Sequence, residues 1–225
     1  MTRYAVYAIP GIDVGATEPA AALRRAADAW LARAELHDVT TDARRYGFHG
    51  TIKAPFRPAA GVSEHMIVDA VADLADAQRQ VTLHSLRPTA IGAFRALVPS
   101  GPTADIDALA AEVVCGLDHL RAPLDDVDRA RRRPDRLSSR QRQLLEAWGY
   151  PYVLDEFRFH MTLTDRLSAA RAPAVDAAIG RHFAEIVGCD VALTSLTVCV
   201  EPEPGHPFRP LSTHPLPATA AAPTS

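Results

Sequence analysis

Tyr4–Ile9 is an unbroken run of apolar and aromatic positions, which predicts a strand ending at Pro10-Gly11. From Pro19 to Leu36 the chain is rich in Ala, Leu and Arg, with proline in the first turn, and this predicts a helix. In the stretch Phe48-His49-Gly50-Thr51-Ile52-Lys53 polar and apolar positions alternate with period two, and Pro55 and Pro58 stop it. Ser63 then suits an N-cap for a helix reaching about Gln80, with Ile67, Val71 and Leu74 on one face. Val81–Leu86 and Ile91–Val98 read as the strands of a hairpin turned by Arg87-Pro88-Thr89. Pro99-Ser100-Gly101-Pro102 breaks the series. A second series follows: an amphipathic helix over Asp105–Leu120, an arginine-rich segment and a short helix over Ser138–Trp148. After it come a strand from Phe157 to about Thr164, a helix over Ala172–Val187, and a strand over Val191–Val200 with Phe208–Leu211 as its partner.

The two series match. Each reads helix, His-Thr strand, helix, strand, strand. His49 lies 32 residues before Val81, and His160 lies 31 before Val191. An internal duplication is the simplest account. It predicts an α+β fold with two lobes, each an antiparallel sheet with helices on its outer face, related by a pseudo-twofold across a central groove. The lobes would be built mainly from 1–98 and 103–211, with elements free to cross over, giving a single domain over 1–211. Residues 212–225 are mostly Ala, Pro and Thr and have little to bury, so a disordered tail is expected there, whose removal leaves folding and turnover nearly intact.

Composition narrows the classes. The chain has 225 residues, 48% of them hydrophobic and 23% charged, as in an ordinary globular protein. A net charge of −3 and an aromatic content of 6% do not suit a nucleic-acid coat, so nucleic acid is not the expected partner. No run approaches the ~18 apolar residues of a membrane span, and no apolar leader follows Met1, so no membrane partner and a cytoplasmic location are the default expectations. Cys115, Cys189 and Cys199 form no Cys-x-x-Cys pair and read as small buried hydrophobes; no disulfide framework, metal or cofactor is expected. Seven of the nine histidines (37, 65, 84, 119, 182, 206 and 214) have no second ligand at a useful spacing.

The other two carry the candidate chemistry. Both sit in Phe-His-x-Thr, 111 residues apart. In a strand, residues two apart share a face. His49, Thr51 and Lys53 would point one way, and so would His160, Thr162 and Thr164, with Arg158 beside them. Phe159, Met161 and Leu163 would point into a core.

These motifs resemble those of the 2H phosphoesterase superfamily, named for two His-x-Thr/Ser motifs on a bilobal α+β fold and including the RNA ligase-like cyclic phosphodiesterases. The longer strings Tyr46-Gly-Phe-His-Gly-Thr-Ile-Lys-Ala-Pro-Phe56 and Phe157-Arg-Phe-His-Met-Thr-Leu-Thr164 resemble a bacterial branch whose members often accompany phosphonate-degradation genes. Gly50 departs from the superfamily's usual apolar residue between His and Thr. The resemblance implies a metal-independent enzyme that opens a small cyclic phosphate, a ribose cyclic phosphate by the phosphonate link. His49 and His160 would be the acid–base pair and Thr51 and Thr162 the donors to phosphate oxygens. The expectation is His160 as base and His49 as acid, although pseudo-symmetry leaves that open. Lys53 and Thr164 are candidate substrate contacts on the same faces. Seven arginines lie between 129 and 142. They read either as a solvated face or as a basic flap over the groove, with Arg132 and Arg133 as its nominal contacts. Two other readings stand beside this one: an RNA-end or 2′,3′-cyclic nucleotide phosphodiesterase, and a module that binds a phosphorylated ligand without turnover. A monomer acting on a small phosphorylated substrate is expected.

Overall fold

The computed structural model describes residues 1–13 and 15–218. The first half runs β1 (Arg3–Ala8), α1 (Glu18–Leu31), a 3₁₀ segment (Ala34–Val39), α2 (Thr41–Tyr46), β2 (Gly50–Phe56), α3 (Glu64–Ala77), β3 (Val81–Leu83), β4 (Arg87–Ile91) and β5 (Phe94–Val98). The second half runs α4 (Ala104–Gly116), α5 (Asp126–Arg131), α6 (Ser139–Trp148), β6 (Met161–Thr162), α7 (Ala172–His182), β7 (Val191–Leu193), β8 (Ser195–Glu201) and β9 (Arg209–Pro215).

The fold is α+β. Its main sheet has the order β4-β5-β6-β2-β1-β8-β9, and every neighbouring pair is antiparallel. Read outward from the middle, β2-β1-β8 mirrors β6-β5-β4. Strands cross between the halves on both sides of the middle: β5 of the first half pairs with β6 of the second, and β8 of the second pairs with β1 of the first. The two expected sheets therefore join edge to edge at one antiparallel pair, Gly50↔Met161. A second, two-stranded sheet pairs β3 with β7.

The alternation along β1 sorts the two faces. Tyr4, Val6 and Ala8 belong to the main core, with Trp30, Ile67, Val113, Met161 and Phe183. Ala5, Tyr7 and Ile9 belong to a separate cluster with Cys199 and Phe208 on the opposite face. The helices cover the first face. α3 has its expected cap, Ser63 Oγ accepting from Met66 N at 3.2 Å, and buries Ile67 and Val71.

Several boundaries differ from the sequence reading. Arg87-Pro88-Thr89 is not a turn but part of β4. As the sheet's edge strand, β4 tolerates a proline without an N–H. The second His-Thr strand shrinks to the two residues of β6. The tail boundary also moves: Ser212–Pro215 pair with β8, Leu216 is buried in the core, and Leu216 N donates to Thr194 O at 2.8 Å. A strand with few apolar residues of its own is held here by ladder hydrogen bonds and by that single leucine. Residues 219–225 of the expected tail lie outside the described residues. Among the described residues, no helix is long and apolar enough to cross a membrane.

Candidate active site

The site grows from the pair that joins the sheet halves. Antiparallel register through Gly50↔Met161, carried one residue to either side, sets His49 across from Thr162 and Thr51 across from His160. The four polar residues form a square on the face opposite the core. Gly50 makes the joint. A Cβ there would lie 2.3 Å from Phe159 Cζ, so the glycine leaves room for the ring that precedes His160 in the chain. The departure from the usual apolar residue is thus a packing solution between the two motifs.

Both imidazoles are oriented alike. His49 Nδ1–H donates to Gly47 O and His160 Nδ1–H donates to Arg158 O, each at 2.8 Å and each two residues back. A carbonyl can only accept, so Nδ1 carries the hydrogen and Nε2 is left for chemistry. The surroundings differ. His49 stacks on Tyr7, with ring centroids 3.7 Å apart and an interplanar angle of 18°, and its Nε2 lies 3.1 Å from Thr51 Oγ1. Burial lowers the His49 pKa to about 4; the Gly47 carbonyl opposes that shift and the nearby charge of His160 adds to it. Among the described residues, His160 has one ring neighbour, Phe94, at 5.7 Å.

Two cavities meet at the square. One, of about 310 Å³, is lined by Tyr7, Tyr46, His49, Thr162 and Arg166; the other, of about 540 Å³, is lined by Ile91, Tyr150, Tyr152, Arg158 and His160. Thr51 and Phe94 line both. Among the described residues, no group of three or more His, Cys, Asp or Glu is placed to hold a metal ion.

The structure thus brings together His49, Thr51, His160 and Thr162, and of the four candidate substrate contacts only Thr164 reaches a cavity wall. Lys53 is 3% exposed and points to the helix side, where Nζ donates to Val114 O at 3.1 Å and lies 3.9 Å from Asp118. The reason is a register shift: Tyr7 pairs with Thr51, but Val6 pairs with Lys53. The extra residue in β2 turns Lys53 onto the core face. Burial lowers its pKa to about 8, against the pull of Asp118. Thr164 lies in the wall of the smaller cavity but is fully buried; its hydroxyl donates to Asp165 O at 2.8 Å and accepts from Arg95 N at 3.0 Å. Arg132 lies over the Tyr150 ring at 4.8 Å, behind the larger cavity rather than in it. Arg133 is exposed and lines neither cavity. Within the same run, Arg129, Arg131 and Arg140 are engaged by Glu146, Asp128 and Asp155, as a solvated, self-neutralised face would be.

Sequence reasoning assigned Tyr7 to the strand alone and gave no role to Phe94, Tyr150, Tyr152 or Arg166. For Tyr7 the alternation of β1 carried the signal, because Tyr7 shares a face with Ala5 and Ile9 and not with the core. A support for the His49 side was also hidden. Asp165 accepts from Asp42 N at 3.0 Å and Ala43 N at 3.2 Å, so the end of the second motif caps the helix leading into the first.

The fold is the one seen in the two-histidine phosphoesterases. The chain superposes on Escherichia coli LigT complexed with 3′-AMP with a TM-score of 0.50 and 16% identity, covering 96% of this chain and 98% of that one; the likeness is one of fold. By sequence the chain belongs to the family described as protein of unknown function DUF1045, whose model matches residues 51–209. It is also 38% identical, over 92% of its length, to a protein of Janthinobacterium sp. (strain Marseille) named ribose 1,5-bisphosphate phosphokinase PhnN. It is 33% identical, again over 92%, to the protein of the same name from Laribacter hongkongensis (strain HLHK9). The chain spans about half the length of these curated relatives, 49% and 50%.

Proposed function

We propose that the protein is a metal-independent phosphoesterase that opens a small cyclic phosphate, with ribose cyclic phosphates as the substrate class. The observation that carries this reading is the square of His49, Thr51, His160 and Thr162, with both Nδ1 atoms tied to carbonyls and both Nε2 atoms left for reaction.

In this reading His49 is the base and His160 the acid, the reverse of the expectation from sequence. A half-buried, desolvated imidazole with a pKa of about 4 is neutral at pH 7 and can accept a proton. At rest, the Thr51 hydroxyl donates to His49 Nε2. A bound phosphate would draw that hydroxyl to a non-bridging oxygen and free Nε2 for a water. The water oxygen then bonds to phosphorus, its proton passes to His49 Nε2, and the ring P–O bond breaks. The proton on His160 Nε2 goes to the leaving alkoxide. Thr51 and Thr162 stabilise the charge gathering on the phosphoryl oxygens.

The name of the longer relatives supports a ribose substrate. Opening the 1,2-cyclic phosphate of a ribose 5-phosphate at O2 leaves a 1-phosphate and a 5-phosphate, which is ribose 1,5-bisphosphate. That link to phosphonate breakdown, a single-chain monomer and a cytoplasmic setting belong to the same reading. The cyclic-nucleotide alternative gains one observation, since Phe94, Tyr150 and Tyr152 line the larger cavity and would suit a base. A panel of ribose 1,2-cyclic phosphates and 2′,3′-cyclic nucleotides, with product identification and an EDTA control, tests both. Turnover of the ribose esters in EDTA is expected. Exclusive turnover of nucleotides would favour the alternative, and loss in EDTA restored by zinc or manganese would sink the two-histidine scheme.

A further inference from the structure

We propose that Arg158 forms a second anion subsite beside His160, built to receive a phosphomonoester that the substrate carries in addition to the phosphate being opened. The proposal rests on the functional reading above and narrows its substrate class to a bisphosphorylated ribose.

The guanidinium is held from behind. Arg158 Nη1 donates to Phe157 O at 2.5 Å and to Asp155 O at 3.2 Å, and the carbonyl of the same residue accepts from His160 Nδ1. The Nε/Nη2 edge is left open. That edge grips carboxylates elsewhere in this molecule: Arg95 on Asp176 at 2.5 and 3.0 Å, Arg140 on Asp155 at 2.8 and 2.6 Å, and Arg171 on Asp38. Arg158 presents the same fork with no carboxylate on it. It is exposed, lines the larger cavity with His160, and has no carboxylate within 4.0 Å among the described residues.

The acids beside it are occupied. The Asp155 carboxylate is held by Arg140 and senses Arg158 only from farther off. Glu156, in the wall of the same cavity, accepts from Gln141 Nε2 at 3.0 Å. A fork anchored on one edge and unneutralised on the other is arranged for an oxyanion with two accepting oxygens. The reacting phosphate already has two hydroxyls and two imidazoles. The fork is therefore free for a second group, in the wall of the larger cavity.

The test compares ribose 1,2-cyclic phosphate with and without a 5-phosphate. The full chain should prefer the 5-phosphorylated ester by about 10–100-fold in kcat/KM, the value of a charge-assisted hydrogen-bond pair. Arg158→Gln and Arg158→Lys should both shrink that ratio toward one, since lysine keeps the charge but not the fork; thermal melts identify any variant that fails to fold. Arg166→Gln should leave the ratio in place. Equal losses on both esters would assign Arg158 to the reacting phosphate and overturn the proposal. So would a wild type indifferent to the 5-phosphate, or a ratio that follows Arg166. Calorimetry with ribose 5-phosphate separates this from the parent reading. Binding weakened about 10–100-fold by Arg158→Gln upholds the subsite even if neither ester is turned over, an outcome that would end only the cyclic-ester reading. Unchanged binding in the variant would overturn the subsite.

Discussion

The two halves of the site use the same three-residue signature in different settings. His49 rests on Tyr7, which contacts Phe208, which stacks on Tyr46. Behind that stack, the buried Glu201 accepts from Arg3 and Arg45. Among the described residues His160 has one ring neighbour, and it stands just before a two-residue strand. A duplicated motif thus specifies tautomer twice over, through the same bond to the carbonyl two residues back, while burial lowers the pKa of His49. An acid–base pair needs this: the geometry can be symmetric, but the pKa values must be pushed apart.

The largest test of that contrast is removal of each imidazole. His49→Ala and His160→Ala should each lower turnover by about 10²–10⁴-fold, and the double variant should lose little more, because acid and base serve one transition state. A substrate with an activated leaving group should rescue His160→Ala and not His49→Ala; rescue of the other variant would restore the assignment expected from sequence. The acid limb of kcat/KM should lie near pH 4, since activity is lost as pH falls through the His49 value. A limb near the ordinary histidine value would show that burial does not set the base.

How far the sequence foresaw this can be judged residue by residue. The duplication and the faces of His49, Thr51, His160 and Thr162 were legible because they depend on local alternation and on spacing. Lys53 was not, because a one-residue bulge in β2 leaves no mark in composition yet turns Lys53 onto the other face. The tail was misread because β9 is stabilised by pairing with β8, a contact between chain segments that its own polar residues do not announce. Arg158 was visible beside His160, but its importance comes from which of its edges is already bonded, and only the folded backbone shows that.

A second test addresses the sheet behind the His49 half. Ending the chain after Leu211 removes the last four residues of β9 and the buried Leu216. Loss of a buried leucine alone costs about 2–5 kcal/mol, and the edge of β8 would also be uncovered. A drop in urea midpoint of that order is expected, with turnover failing at lower temperature. An unchanged midpoint would mean that β9 adds nothing to the support of Tyr7.

Next in size is the acid dependence of the same support. Burial alone would raise the Glu201 pKa, but the bonds from Arg3, Arg45 and Gly205 N overcome it and hold the value at about 2. Its folded value lies below the unfolded one. Its contribution is therefore complete above about pH 4.5 and fades as pH falls toward 2. Glu201→Gln should cost about 2–3 kcal/mol at pH 7 and progressively less below pH 4.5. Denaturation at pH 7, 4 and 3 measures the gap between variant and wild type. A gap that stays constant across those three pH values would show that the carboxylate's charge is not what steadies this side.

The smallest expected effect falls on the joint between the halves. At Gly50 an added Cβ would sit 2.3 and 2.4 Å from two atoms of the Phe159 ring, too close to stand. The ring is 5% exposed and has little room to swing. Gly50→Ala should therefore cost about 1–3 kcal/mol, the usual price of overpacking, and displace Phe159 along with the backbone leading to His160. Turnover should fall about 10-fold, because a misplaced imidazole loses alignment while keeping its chemistry. Phe159→Leu in the same chain should recover much of both losses by making room for the methyl group. Because Gly50 pairs with Met161, the double variant tests the joint itself. If Gly50→Ala is harmless by melting temperature and by rate, the two halves meet more loosely than the packing of Phe159 against Gly50 implies. The alignment of the histidines must then come from their own strands.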